Sequence, residues 1–138
     1  MHFDLRLQVG DKFRSWAVPR GPSLDPAVAR LAIRVEDHGL GAGDFEGVHH
    51  GAIRGSGAVI IWDEGLIESL DEGPKHVSFS LVGSKLRGRF GLTVTDKGQW
   101  LLVKADDEFA RRGSDIVAEK PASVRSGMTW QQIAADDL

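Results

Sequence analysis

The sequence predicts a mainly β fold: a meander of eight or nine short antiparallel strands, with one or two short helices near its C-terminal end. Two observations carry that expectation. From His2 to Val9 polar and apolar residues alternate without a break, and successive strand side chains point to opposite sides. Seventeen of the 138 residues are glycine, well above the roughly 7 % usual in globular chains. They fall between short apolar runs, as tight turns would.

The first strand is chemically unusual. Phe3, Leu5, Leu7 and Val9 share one face, while His2, Asp4, Arg6 and Gln8 share the other. Same-face neighbours are roughly 6.5–7 Å apart along a strand, so His2 and Asp4 can converge on one metal ion while Arg6 reaches towards an anion. A solvated polar face would look the same by composition. Gly10 and Asp11 then turn the chain into a second strand, Lys12 to Val18, with Phe13 and Trp16 as expected anchors.

Three prolines between Val18 and Pro26 prevent ladder pairing there and predict a stiff loop that holds Arg20. Asp25 is placed to cap a helical turn over Ala27 to Leu31, with Pro26 at its first position. In the strand expected from Ala32 to His38, alternation groups Arg34, Glu36 and His38 against Ile33 and Val35. If that polar face meets the one on the first strand, the residues suit metal-assisted work on a phosphate.

Beyond Gly39 to Asp44 lie Phe45 to Val48, the pair His49 and His50, and a glycine-punctuated stretch to Gly57. Ala58 to Trp62 is expected to form a buried strand, followed by strands at Leu66 to Leu70 and His76 to Val82. Asp71 to Pro74 forms the turn between those two. Lys85, Arg87 and Arg89 share a face if Lys85 to Phe90 is extended, forming a stripe suited to a nucleic-acid backbone. Gly91 to Thr95 and Gln99 to Lys104 complete the meander. Asp106 to Arg112, acids first and bases last, is expected to form a short helix stopped by Gly113. Thr129 to Gln132 has the pattern of a capping box for a final helix that packs against the barrel.

One domain accounts for 138 residues. A formal net charge of −3 argues against coating nucleic acid by bulk electrostatics, while leaving room for a local cluster. The absence of cysteine excludes disulfide scaffolds and thiolate chemistry. No signal-peptide pattern or stretch of about 18 apolar residues is present, which points to a soluble cytoplasmic protein, with no membrane partner.

Taken together, HFDLRL at 2–7, SWAVPRGPSLDP at 15–26, RVEDHGL at 34–40, DFEGV at 44–48, GSGAVIIWDEG at 55–65, KLRGRF at 85–90, WLLVKADDEFA at 100–110 and SVRSG at 123–127 resemble the 3′-phosphoesterase domain of bacterial DNA ligase D. The agreement is collinear over nearly the whole chain. It implies a compact antiparallel β-barrel over residues 1–138 that uses Mn2+, or another divalent ion such as Zn2+, to clear 3′-phosphates and terminal ribonucleotides from DNA ends.

By the same resemblance His2 and Asp4 match metal ligands, and Arg6 matches a phosphate-contacting arginine. His38 matches an essential phosphate-binding histidine with Glu36 beside it, and Arg20 stands where the family usually has lysine. The family's upstream histidine would lie before residue 1, its tyrosine falls on Ala42, and its proline–tyrosine segment reads His49 to Arg54. His49 or His50 is the expected substitute ligand. The expected partners are DNA or DNA/RNA 3′ ends and a separate ligase or end-binding protein, for a monomer. The alternative to an enzyme is a DNA-end-binding or ligase-docking module.

Overall fold

The computed structural model describes residues 2–39, 46–49 and 57–136. Among the described residues nine strands and two short helices run in the order β1 Phe3–Val9, β2 Lys12–Val18, β3 Ala29–Gly39, β4 Gly47–His49, β5 Gly57–Val59, β6 Gly65–Glu72, β7 His76–Gly83, β8 Arg87–Val94, β9 Trp100–Lys104, α1 Ile116–Glu119 and α2 Trp130–Asp136. Seven strands form an antiparallel, nearly closed barrel in the order β1-β2-β3-β9-β8-β7-β6, and β4 pairs with β5 in a separate hairpin. Two meanders, β1 to β3 and β6 to β9, are thus joined where β9 returns to β3, pairing Ala29 to Ala32 with Val103 to Trp100.

The barrel fills with the alternate residues that the sequence marks as apolar. Leu7, Trp16, Val18, Ala32, Phe79, Phe90, Leu92 and Leu102 are all buried, with Phe3 and Leu5 packed against them. Their rings meet in pairs, Trp16 on Trp100 at 5.6 Å and Phe79 on Phe90 at 5.7 Å between centroids. These separations are typical of aromatic pairs. Phe13 does not share this core with Trp16. Three residues apart on a strand, they belong to opposite faces, and Phe13 pairs with Gln8 while Trp16 pairs with Leu5.

Local chemistry moves several boundaries. The turn after Asp25 closes once, through Val28 N to Asp25 O at 3.0 Å and Ala27 N to Asp25 Oδ1 at 2.9 Å. The expected helical turn over 27–31 is therefore absent, and β3 starts at Ala29. β5 ends at Val59 because Ile61 N donates to Glu46 Oε1 at 2.8 Å instead of continuing the ladder. Trp62 is nonetheless buried, its indole N–H donating to Lys120 O at 2.8 Å. Asp71 and Glu72 belong to β6, leaving the turn to begin at Gly73.

Residues 106–112 are not helical. The Asp107 carboxylate instead accepts from Arg89 N at 2.8 Å, Phe109 N at 2.9 Å and Lys104 Nζ at 2.6 Å, which ties this stretch to β8 and β9. A helical turn appears later, at α1, where Asp115 caps by accepting from Ala118 N. The capping box forms as expected: Gln132 N donates to Thr129 Oγ1 at 3.2 Å, and Thr129 N donates to Gln132 Oε1 at 2.8 Å. The helix it starts, α2, packs against β4 and β5 on the outside of the barrel. Among the described residues no helix is long and apolar enough to cross a membrane.

Candidate functional site

The polar side of the first strand forms one connected group. His2 Nε2 lies 3.1 Å from Asp4 Oδ1, and Arg6 Nη2 lies 3.6 Å from Asp4 Oδ2, so one carboxylate bridges an imidazole and a guanidinium. The side chains of His2 and Asp4 are 57 % and 42 % exposed, and that of Arg6 is 28 % exposed. The strand period brings these groups to one side, and their length closes the remaining gap. The apolar side of β1 faces the core, so the group stands on the barrel's outer side.

Backbone register extends this face across two more strands. Asp4, Ala17 and Ile33 form one row, and Arg6, Ser15 and Val35 the next. Ile33 is half exposed, whereas Ala32 is fully buried. The expected grouping is therefore inverted for Arg34: it stands opposite Trp16, its guanidinium 5.1 Å from that ring, and pairs with Asp37 at 2.5 Å. Its row also contains the core residue Leu5.

A bulge then changes the parity of β3. Ser15 pairs with Val35 and Phe13 with His38, so two steps along β2 span three along β3. His38 consequently occupies the row of Gln8 and Phe13, one row of the same parity beyond Arg6. Simple alternation, which grouped His38 with Arg34, does not hold across this irregularity. Glu36 lies within the bulge and is exposed. Ser15, fully buried across from Arg6, was not singled out in the sequence; its place next to the apolar run Trp16 to Val18 was its only signal.

Arg20 is exposed in the loop between β2 and β3, which is rigidly seated. Gly21 N donates to Val18 O at 3.1 Å, and Gly21 adopts φ +76°. A Cβ at Gly21 would stand 2.8 Å from Val117 Cγ2 and 2.9 Å from the Phe3 ring, so glycine lets α1 close against the start of β1. His49 ends β4 opposite Gly57; its side chain, and all of Ala42 and His50, lie outside the described residues. Among the described residues no group of three His, Asp or Glu is close enough to hold a metal ion.

The expected basic stripe forms only in part: Arg87 and Arg89 alternate along β8 and are both exposed, but Lys85 does not join them. Lys85 precedes β8 and is a structural clip, donating to the carbonyls of Lys120 and Ala122 while its ammonium sits 4.3 Å from the Trp62 ring centre. Burial, partly offset by Asp63 and reinforced by Lys120, lowers its pKa to about 8.

The molecule is thus a small antiparallel β-barrel whose first strand carries an imidazole–carboxylate–guanidinium group on its outer side. It belongs to the DNA Ligase D 3′-phosphoesterase domain family, whose model matches residues 1–95. It is 46 % identical over 140 residues to the multifunctional non-homologous end joining protein LigD of Pseudomonas aeruginosa, covering 94 % of this chain and 17 % of that protein. The LigD protein of Mycobacterium tuberculosis is 38 % identical over 104 residues, covering 72 % of this chain and 14 % of the relative. That of Mycolicibacterium smegmatis is 30 % identical over 127 residues, covering 84 % and 17 %. The chain therefore corresponds to a small fraction of each relative's length.

Proposed function

We propose that the chain is a divalent-metal-dependent phosphoesterase that removes a 3′-phosphate or terminal ribonucleotide from DNA 3′ ends during end repair. Family membership supports this reading, and the Asp4-centred group is the observation that carries it. Two donors, each about 2.1–2.2 Å from one divalent ion and at right angles, are about 3.0 Å apart. The 3.1 Å between His2 Nε2 and Asp4 Oδ1 fits that spacing. These residues would hold Mn2+ or Zn2+, with water, a phosphate oxygen, or His49 or His50 completing the set. Such an ion neutralises phosphate charge and acidifies bound water.

The remaining chemistry belongs to the chain's own side chains. Arg6, held by the same carboxylate, presents a planar cation suited to two phosphate oxygens. In this proposal Arg20 adds a second positive charge from its stiff loop. His38 binds the phosphate or protonates the leaving oxygen, with Glu36 beside it.

A 3′-phosphorylated primer–template incubated with Mn2+ tests the reading. The wild-type chain is expected to release inorganic phosphate, and His2→Ala or Asp4→Asn to slow release by at least about 100-fold, the scale of losing one transition-state contact. Undiminished release by His2→Ala would sink the proposal. Binding of the duplex by the wild type without release would leave an end-binding module in its place.

A further inference from the structure

Away from the Asp4-centred group, a cavity of about 230 Å³ opens beside α1, and four cations line it: Lys85, Arg87, Arg111 and Lys120. Among the described residues Glu108 is the one acidic side chain of its wall. This is a local excess of positive charge in a chain whose formal net charge is −3. We propose that the cavity binds a single-stranded nucleic-acid segment, with a backbone phosphate among the cations and a base on Phe109. The proposal rests on the reading above, since it assigns the cavity to the unpaired strand opposite a processed 3′ end.

Several observations converge on that ligand. Two of these cations meet uncharged main-chain oxygens: Lys85 donates to two carbonyls, and Arg87 Nε donates to Gly83 O at 3.4 Å. Arg111 meets Glu119 at 3.3 Å in an exposed pair, an arrangement easily screened and exchanged. Burial, and to a smaller extent the charge of Lys120, disfavours the cationic form of Lys85 and lowers its pKa to about 8 against the opposing effect of Asp63. A bound anion would oppose that shift. Leu24 and Ile116, both buried, give the cavity an apolar floor that weakens solvent screening.

Phe109 supplies the second half of the site. It lines the cavity and remains 38 % exposed, while Asp107 fixes its backbone N–H at 2.9 Å. An anchored, accessible ring next to cations is the pairing by which single strands are held, bases stacking and phosphates neutralised. The cavity also lies at the end of the barrel where β1 begins. Lys85 stacks on Trp62, the Trp62 ring meets Phe3 at 5.5 Å, and Leu24 O, in the loop that carries Arg20, accepts from Arg111 N at 2.8 Å.

Fluorescence anisotropy with labelled 3′-hydroxyl duplexes, blunt or carrying a single-stranded 5′ tail, tests the proposal. The wild-type chain is expected to bind the tailed duplex more tightly. Arg87→Glu combined with Lys120→Glu should weaken that binding at least about tenfold. It should also flatten the slope of log affinity against log salt by about 1.4, or about 0.7 for each lost phosphate contact. Blunt binding, and phosphate release from a blunt 3′-phosphorylated duplex, should not change. Phe109→Ala should weaken tailed binding without changing the slope.

Thermal melting checks the fold, and the Arg87→Gln, Lys120→Gln pair replaces the reversal if that variant is unstable. Equal affinity of wild type for tailed and blunt duplexes overturns the proposal, as does unchanged tailed binding by either charge variant. Full competition by equimolar thymidine monophosphate also overturns it, by assigning the cavity to a free nucleotide. His2→Ala retaining phosphate release while the tail preference persists would remove the catalytic reading alone.

Discussion

At the scale of single residues, Gly88 and Lys85 show how closely the lower part of the barrel is fitted. Gly88 adopts φ +91°, and a Cβ there would stand 2.6 Å from Asp107 Oδ2 and 2.9 Å from Lys104 Nζ. Both neighbours are tied by hydrogen bonds. Lys104 is 1 % exposed and bonded to Asp107 at 2.6 Å and to Ala105 O at 3.0 Å. Gly88→Ala combines left-handed strain of about 1–2 kcal/mol with disruption of that pair, so a loss near 3 kcal/mol is expected. Urea unfolding measures it, and a loss below about 1 kcal/mol would contradict the fit. Lys85 gives a pH signature. Its folded pKa of about 8 lies below the ordinary 10.5, so between these values the unfolded chain keeps a proton that the folded chain has lost. Stability then rises with pH. From pH 8 to 10 the wild type is expected to gain stability relative to Lys85→Met, and parallel urea midpoints for the two would refute this.

At the scale of elements, β1 was legible because it alternates cleanly and β2 because Gly10 and Asp11 turn the chain back into it, and the Asp4-centred group follows from the alternation of β1. β3 was not. Its sequence alternates from Ile33 to Glu36 and then runs polar through Asp37 and His38, where the bulge opposite Phe13 to Ser15 inserts a step that alternation alone does not place. Arg34, grouped with His38 by alternation, instead lies over buried Trp16. The stretch 106–112 misled for a related reason: its charge order suits a helix, yet Asp107 hydrogen-bonds backbone N–H groups 18 residues back and two ahead. Only the folded chain brings those donors together. Local signals with reciprocal partners fared better, as the capping box of α2 shows. Thr129→Ala removes the side-chain acceptor for Gln132 N and should cost about 1 kcal/mol. α2 packs on β4 and β5, so faster amide exchange at Val48 and Ala58 than in the wild type is expected to accompany the loss. Unchanged exchange there would show that the hairpin does not depend on the helix.

At the scale of the whole molecule, carboxylates hold the segment after β9 to the barrel. Asp25 accepts from Gly113 N at 3.0 Å, Glu46 from the Ser123 hydroxyl, and Glu64 from Arg125 Nε and Nη2, both at 2.8 Å. Each partner is distant in sequence, so spacing could not reveal them. The Asp25 pKa is lowered by the N–H groups of Gly113 and Ala27, and the Glu64 pKa by the Arg125 guanidinium. For Glu46, burial raises the pKa but is outweighed by hydrogen bonds from Ser123 and Ile61; for Asp107, burial is likewise outweighed by those from Lys104, Arg89 and Phe109. A carboxylate with a lowered folded pKa contributes stability that is present above the unfolded value and is lost as pH falls through the folded one. These groups therefore weaken together below about pH 4. The β7–β8 ladder, apart from the exposed His76–Thr93 contact at one end, rests on backbone bonds and the Phe79–Phe90 stack, which do not titrate. Acid is thus expected to release residues 105–136 before the barrel opens. Native-state hydrogen exchange at pH 3 against pH 6 checks this through Lys120, Val124 and Gly127, which bond to Ile116 O, Ile61 O and Ser123 O. Their protection, corrected for intrinsic exchange, should fall at pH 3 while Phe79 and Phe90 keep theirs. Simultaneous loss in both regions would mean that the tail and the barrel unfold as one unit.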